Sequence, residues 1–140
     1  MAVAPDPNPT EILGFTVEID GIVDSSWSSV NIPASSTKHT NNGDIPWGET
    51  DFQDLELERR FTDDPFMYNW REAIHDDDVD NGLKNVAIGF IDQDGSELIR
   101  WEFDDAWIKH YNIMKFDFSD DGVVTEQVTL AYDSMTRVEP

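Results

Sequence analysis

The sequence predicts a mainly β protein with one α-helix, built as two packed antiparallel sheets of the β-sandwich or barrel type. Three observations predict it. Short segments such as FTVEI and ELIRWEF alternate apolar and polar residues with a period of two. Asp-Gly turn pairs separate such segments at Asp94-Gly95 and Asp121-Gly122. Only the stretch around Pro65 carries apolar residues at helical spacing. A chain of 140 residues with 39% apolar and 11% aromatic residues is the size of one domain and can fill a core.

Residues 1–13 hold three prolines in MAVAPDPNP and show no period, so they read as a flexible N-terminal arm, followed by a single domain over residues 14–140. FTVEIDG places Phe15, Val17 and Ile19 on one face of a strand and ends in the turn pair Asp20-Gly21. SSWSSVNIP reads as a short strand anchored by Trp27, Val30 and Ile32, and ASSTKHTNNGDIPWGETD as a long loop. Loops of that length in a compact domain are uncommon and usually functional. DLELER alternates again. TDDPFMYNWREAI then predicts a helix, with Thr62 or Asp63 as cap, acids in the first turn and an apolar stripe of Phe66, Trp70, Ala73 and Ile74. DDDVDNG ends it.

NVAIGFI, the turn DQDG and ELIRWEF form a hairpin, with Ile99, Trp101 and Phe103 facing the core. Beyond it, DDAWIKHY reads as a bend. IMKFDF puts Met114, Phe116 and Phe118 on one face, and SDDG turns into VVTEQVTLAYD. There Val124, Val128, Leu130 and Tyr132 share a face that Glu126 interrupts.

The charge is the most unusual feature of the composition: 30 acids against 9 bases, a net −21, spread along the whole chain. An acidic tail forms a block; a dispersed acidic shell keeps a protein hydrated at multimolar salt, where self-repulsion is screened. The sequence therefore reads as a salt-adapted, halophilic protein. No basic stripe offers itself to a nucleic-acid backbone. The N-terminus carries no basic region followed by an apolar run, so it does not read as a secretory signal, and no stretch approaches the ~20 apolar residues of a membrane span, so no membrane insertion of the subunit is expected.

Catalytic and metal chemistry find no support. The chain has no cysteine, which excludes disulfides, thiolate metal sites and cysteine nucleophiles. His39, His75 and His110 match no metal spacing and read as surface residues. DDDVDNG fails as a calcium loop, because glycine and glutamate are missing where that loop needs them. Arg59 reads as ion-paired to neighbouring acids. No cofactor and no catalytic residue is expected.

Four segments in this order, FTVEIDGI, LELERRFTDDPFMYNW, VAIGFIDQDGSELIRWEFDDAWIKHY and VVTEQVTLAYDSMTR, resemble the tail tube protein family of contractile phage tails and phage-like contractile injection systems. The likeness spans most of residues 15–137. It departs at Ile108, where the family usually has proline, and at Arg60, where it often has glycine.

The resemblance implies a structural inner-tube subunit. Protomers join into six-membered rings, sheets of neighbours merge into one barrel around a lumen, and rings stack into a tube. The implied partners are further copies of the chain, a surrounding sheath protein, baseplate and spike proteins, and luminal cargo or DNA. Such a subunit is cytoplasmic during assembly and then part of a virion or extracellular particle. Ring stacking is expected from the Ser35–Asp51 loop, through Lys38, His39, Asn42, Trp47, Glu49 and Asp51, with the N-terminal arm helping. Ring closure is expected from the strands carrying Phe15, Val17 and Ile19 and Val128, Leu130 and Tyr132. The competing reading is a monomeric β-sandwich carbohydrate-binding module with Trp27, Trp47 or Trp107 as its platform.

Overall fold

The computed structural model describes residues 11–24, 26–40, 43–114 and 122–139. Among these residues, ten strands and two helices follow in chain order: β1 (Gly14–Ile19), β2 (Ile22–Asp24), β3 (Trp27–Asn31), β4 (Ser35–His39), β5 (Trp47–Phe52), β6 (Leu55–Arg60), α1 (Phe66–His75), α2 (Val79–Gly82), β7 (Lys84–Ile91), β8 (Glu97–Ile113), β9 (Thr125–Ala131) and β10 (Ser134–Val138). All strand pairings are antiparallel.

Asp20 and Gly21 both take positive φ, 50° and 84°. That is the backbone of a two-residue hairpin turn whose twist matches its strands. It sets Ile19 opposite Ile22. The Asp92–Gly95 turn is held by its own aspartate, whose Oδ1 accepts from the backbone of Asp94 and Ser96.

The 17-residue β8 organises the rest. Its first half pairs with β7 and β10, so one sheet runs β2-β1-β7-β8-β10; its second half pairs with β9, so a second runs β8-β9-β6-β3. Between the halves the register slips against β7, and Asp105 sits at φ 52°. An extra residue bends a strand and increases its twist, which lets β8 pass from one sheet into the other. The expected bend after the tryptophan strand is thus a bulge within a continuous strand. The β9–β10 segment makes the same passage alongside, where the Asp133 amide donates to the Asp104 carbonyl at 2.9 Å.

The two sheets enclose one core. Val17, Val86, Ile88 and Phe103 come from the first sheet; Leu55, Leu57, Ile108, Val128 and Leu130 come from the second, and Met67 and Trp70 of α1 close it. Trp101 packs against this cluster and meets Phe90 edge-on, with ring centroids 4.7 Å apart. Alternation therefore placed Val17, Ile19, Leu55, Leu57, Phe103, Val128 and Leu130 in the core and Trp101 against it, whereas Ile99, expected on the same face, is not part of the cluster.

Three local readings need correction. The stretch expected as a long loop forms the β4–β5 hairpin, a separate two-stranded sheet with every strand residue exposed. Its polar residues satisfy their backbone by pairing with each other, which apolar periodicity does not reveal. Neither Thr62 nor Asp63 caps α1. Pro65 occupies the cap position without a side-chain cap bond, the Asp64 Oδ1 accepts from the Phe66 amide at 3.1 Å just ahead of the helix, and no acid lies in the first turn. The buried stripe of α1 is also displaced from the expected one: Met67 and Trp70 are fully buried, whereas Phe66 lies at the rim, 36% exposed. The Trp70 indole donates to the Gly82 carbonyl at 2.7 Å and so fixes the helix rotation. Phe116, Phe118 and most of the SDDG turn lie outside the described residues.

Candidate assembly interface

The second sheet carries a buried ionic row. Trp27, Arg59, Glu126 and Ile113 lie directly opposite one another across β3, β6, β9 and β8, so their side chains share the core-side face. Arg59 is 3% exposed and Glu126 2%. The Arg59 Nε donates to Glu126 Oε2 at 2.8 Å and Nη1 to Asp24 Oδ2 at 3.1 Å. The guanidinium lies over the Trp27 ring, 4.5 Å from its centroid. The Tyr111 hydroxyl donates to Glu126 Oε1 at 2.8 Å. Burial, with the Glu126 bond and charge behind it, pushes the Tyr111 phenol up to about 12. Burial works against the Asp24 carboxylate, but the hydroxyl and amide of Ser26 and the Arg59 charge outweigh it, holding its pKa below the usual value. Glu126, which interrupts an apolar face in the sequence, is thus the partner of Arg59, as the ion-pair reading of Arg59 requires.

Trp27 is therefore no ligand platform: it is 5% exposed, beneath Arg59. Trp107 is 36% exposed at the start of the second half of β8, and Trp47 is 61% exposed on β5. The three histidines are all exposed. Among the described residues, no group of three or more His, Cys, Asp or Glu could hold a metal ion, and no helix is long and apolar enough to cross a membrane.

The residues expected at ring stacking fall on the hairpin. Lys38 and His39 end β4, and Trp47, Glu49 and Asp51 lie on β5, all exposed; Asn42 lies outside the described residues. Phe52 and Ile45 add exposed apolar surface, 54% and 55%. The hairpin is tied to the body at its base, where the Tyr132 hydroxyl donates to the Gln53 carbonyl at 2.8 Å.

The residues expected at ring closure lie deeper. Val17, Ile19, Val128 and Leu130 are buried in the core, and Phe15 and Tyr132 are half-buried against it. β9 is flanked on both sides, by β8 and β6; β1 is flanked by β7 throughout and by β2 over Val17–Ile19. Of these strands, the Gly14–Thr16 stretch alone keeps an unpaired edge. Sequence reasoning missed the two edges of the second sheet that remain open among the described residues: β3, paired only with β6, and Trp107–Ile113 of β8, paired only with β9. Nothing in a strand's own pattern tells which neighbours it acquires.

The sequence matches the T4-like virus tail tube protein gp19 family over residues 13–136. The chain belongs to this family. It is a structural tube subunit, and the carbohydrate-binding reading is not favoured. Its fold is similar to that of a chain in the anti-feeding prophage tube-terminating cap, with a TM-score of 0.75 at 20% identity over 100% of both chains. A chain in the sheath/tube terminator of the extracellular contractile injection system PVC, in its extended state, gives 0.75 at 18% identity, covering 94% of this chain and 98% of that one. Hcp1 from Flavobacterium johnsoniae gives 0.66 at 16% identity, covering 91% and 100%. These likenesses are of fold. No curated protein sequence matches the chain significantly.

Proposed function

We propose that the chain is the inner-tube subunit of a contractile tail or injection particle, with six copies closing a ring and rings stacking around a lumen. The observation that carries this reading is a parity in the strand order. The first sheet has five strands, all antiparallel, so its end strands β2 and β10 run the same way. The second sheet has four, so its end strands β3 and β8 run oppositely. Copies joined head to tail through the second sheet continue the antiparallel alternation without limit. Copies joined through the first would need a parallel seam.

Closure through β3 and β8 also removes the edges that an isolated sheet would offer to aggregation. In this arrangement Phe15, Val17 and Ile19 support the seam from within the core, and Gly14–Thr16 supplies a minor edge. Val128, Leu130 and Tyr132 underlie the middle of the barrel sheet. The face turned away from the core carries Glu56, Glu58, Gln127, Thr129, His110 and Asn112, a polar surface suited to a wet lumen through which cargo or DNA passes. The exposed hairpin, with Lys38, His39, Asn42, Trp47, Glu49 and Asp51, reaches the next ring.

The sheath surrounds this tube, and baseplate and spike proteins stand at its end. The finished assembly is a virion or an extracellular particle. The acidic surface suits a cytoplasm and surroundings of multimolar salt.

The test is mass measurement by light scattering in multimolar salt, on the whole protein and on a variant in which residues 36–51 are replaced by a short turn. The account expects rings and tubes from the first and rings alone from the second. A variant that still stacks would remove the hairpin from the proposal.

A further inference from the structure

The two open ends of the second sheet differ in a way that fits one to the other. At the β3 end lies a cavity of about 360 Å³, with Ile22, Val23, Phe66 and Met67 as apolar walls and Asp24 and Arg59 among its polar lining. Ile22 and Val23 stand 69% and 61% exposed at its mouth. Arg59 commits Nε to Glu126 and Nη1 to Asp24, but its buried Nη2 has no acceptor among the described residues. A buried donor without a partner is costly, and the great majority of such groups are satisfied. Asp24 and Glu126 already balance the Arg59 charge, so the missing partner is a neutral acceptor such as a main-chain carbonyl. At the opposite end of the sheet, among the described residues, Ile113 and Met114 stand 47% and 43% exposed.

These features lie on one row. Ile113 is opposite Glu126, Glu126 opposite Arg59, and Arg59 opposite Trp27. Extending the sheet by one copy therefore brings the Ile113–Met114 end of β8 to the Trp27 end of β3, on the face where the cavity opens.

We infer that Ile113 of one copy seats in the Ile22–Val23–Arg59 cavity of the next, with a main-chain carbonyl of the Ile113–Met114 segment accepting from Arg59 Nη2. The partner is a second copy of this chain, and the contact is heterologous: one surface gives and a different one receives, as a closed ring requires. The inference rests on the ring reading and names its seam.

The absence of cysteine from the natural sequence gives a clean test. Val23→Cys and Ile113→Cys proteins, both altered at exposed positions, are assembled in multimolar salt separately and as an equimolar mixture. Each preparation is then treated with a short bis-maleimide. The inference expects covalent dimers from the mixture only, and from the double variant a ladder that stops at six subunits. Val23→Cys linking to itself, or rings that form but yield no mixed dimer, would overturn the inference and leave the ring standing. Failure of the unsubstituted protein to form rings under any of these conditions would overturn the ring reading itself. An Ile113→Asp protein with unchanged circular dichroism should lose at least tenfold in ring fraction; undiminished ring formation by it contradicts the seam.

Discussion

Replacing Arg59 and Glu126, singly and together, by leucine measures what the buried ionic row contributes. Both groups are almost completely buried and 2.8 Å apart. Removing one partner of such a pair strands the other's charge, a loss of ~3–5 kcal/mol. The two single substitutions are unequal. In Glu126→Leu, Arg59 keeps Asp24 at 3.1 Å, a group one-third exposed, so the cost falls near ~3 kcal/mol. In Arg59→Leu, Glu126 keeps only the Tyr111 hydroxyl, and the cost approaches ~5 kcal/mol. The double variant strands neither member of the pair and can be as stable as the original, or more so, to within ~1–4 kcal/mol. It should therefore lie well above the sum of the singles, with a coupling of at least ~2 kcal/mol. The assay is urea unfolding followed by tryptophan fluorescence, at one salt and one protein concentration, because assembly would shift the midpoint. Single effects that add to within ~0.5 kcal/mol would refute the coupled row.

Four further outcomes follow from the same geometry. Trp47→Ser, at an exposed hairpin position, should change unfolding stability by no more than ~0.5 kcal/mol while reducing stacked tubes in electron micrographs; a loss of stability without loss of stacking contradicts the hairpin's role. Tyr111 has a folded pKa raised to about 12 from 10.0, so its contribution is complete below pH 10 and is lost as pH rises through 12; Tyr111→Phe should flatten the decline in thermal midpoint over that window. Asp24 is shifted the other way; its contribution is present above the ordinary carboxylate value and is lost as pH falls through its lowered one, so Asp24→Asn should be less stable at neutral pH and less sensitive to acid in the same melts. With a net charge of −21, the unfolding midpoint should fall as NaCl is lowered from ~1 M, where the Debye length is ~3 Å, towards ~0.01 M, where it is ~30 Å; a midpoint independent of salt would contradict the salt-adapted reading.

The fold was legible in the sequence wherever burial is one-sided. Val17, Ile19, Val128 and Leu130 alternate with polar residues because one face of each strand meets the core, and that alternation survives in a single sequence. The single amphipathic helix was legible for the same reason, although its rotation was not: Phe66 is as apolar as Met67, and the hydrogen bond from Trp70 to Gly82 decides between them. The β4–β5 hairpin was illegible because every residue of its two strands is exposed among the described residues, so neither strand needs an apolar face. The open edges of the second sheet were illegible too. An edge is defined by the neighbours a strand lacks, and only the registers of β3 and β8 reveal it. Glu126 was visible as an interruption of an apolar face; pairing with Arg59 needs the register that sets them opposite each other.

The central claim is that this subunit makes a tube by continuing its four-stranded sheet from copy to copy. The most direct measurement is cryo-electron microscopy of particles assembled from the purified protein in multimolar salt, at a resolution that traces the main chain. The account predicts six-membered rings in which Trp27–Asn31 of each protomer hydrogen-bonds, antiparallel, to Trp107–Ile113 of the next. Particles in which both edges stay unpaired, or a seam made by β2 against β10, would contradict it.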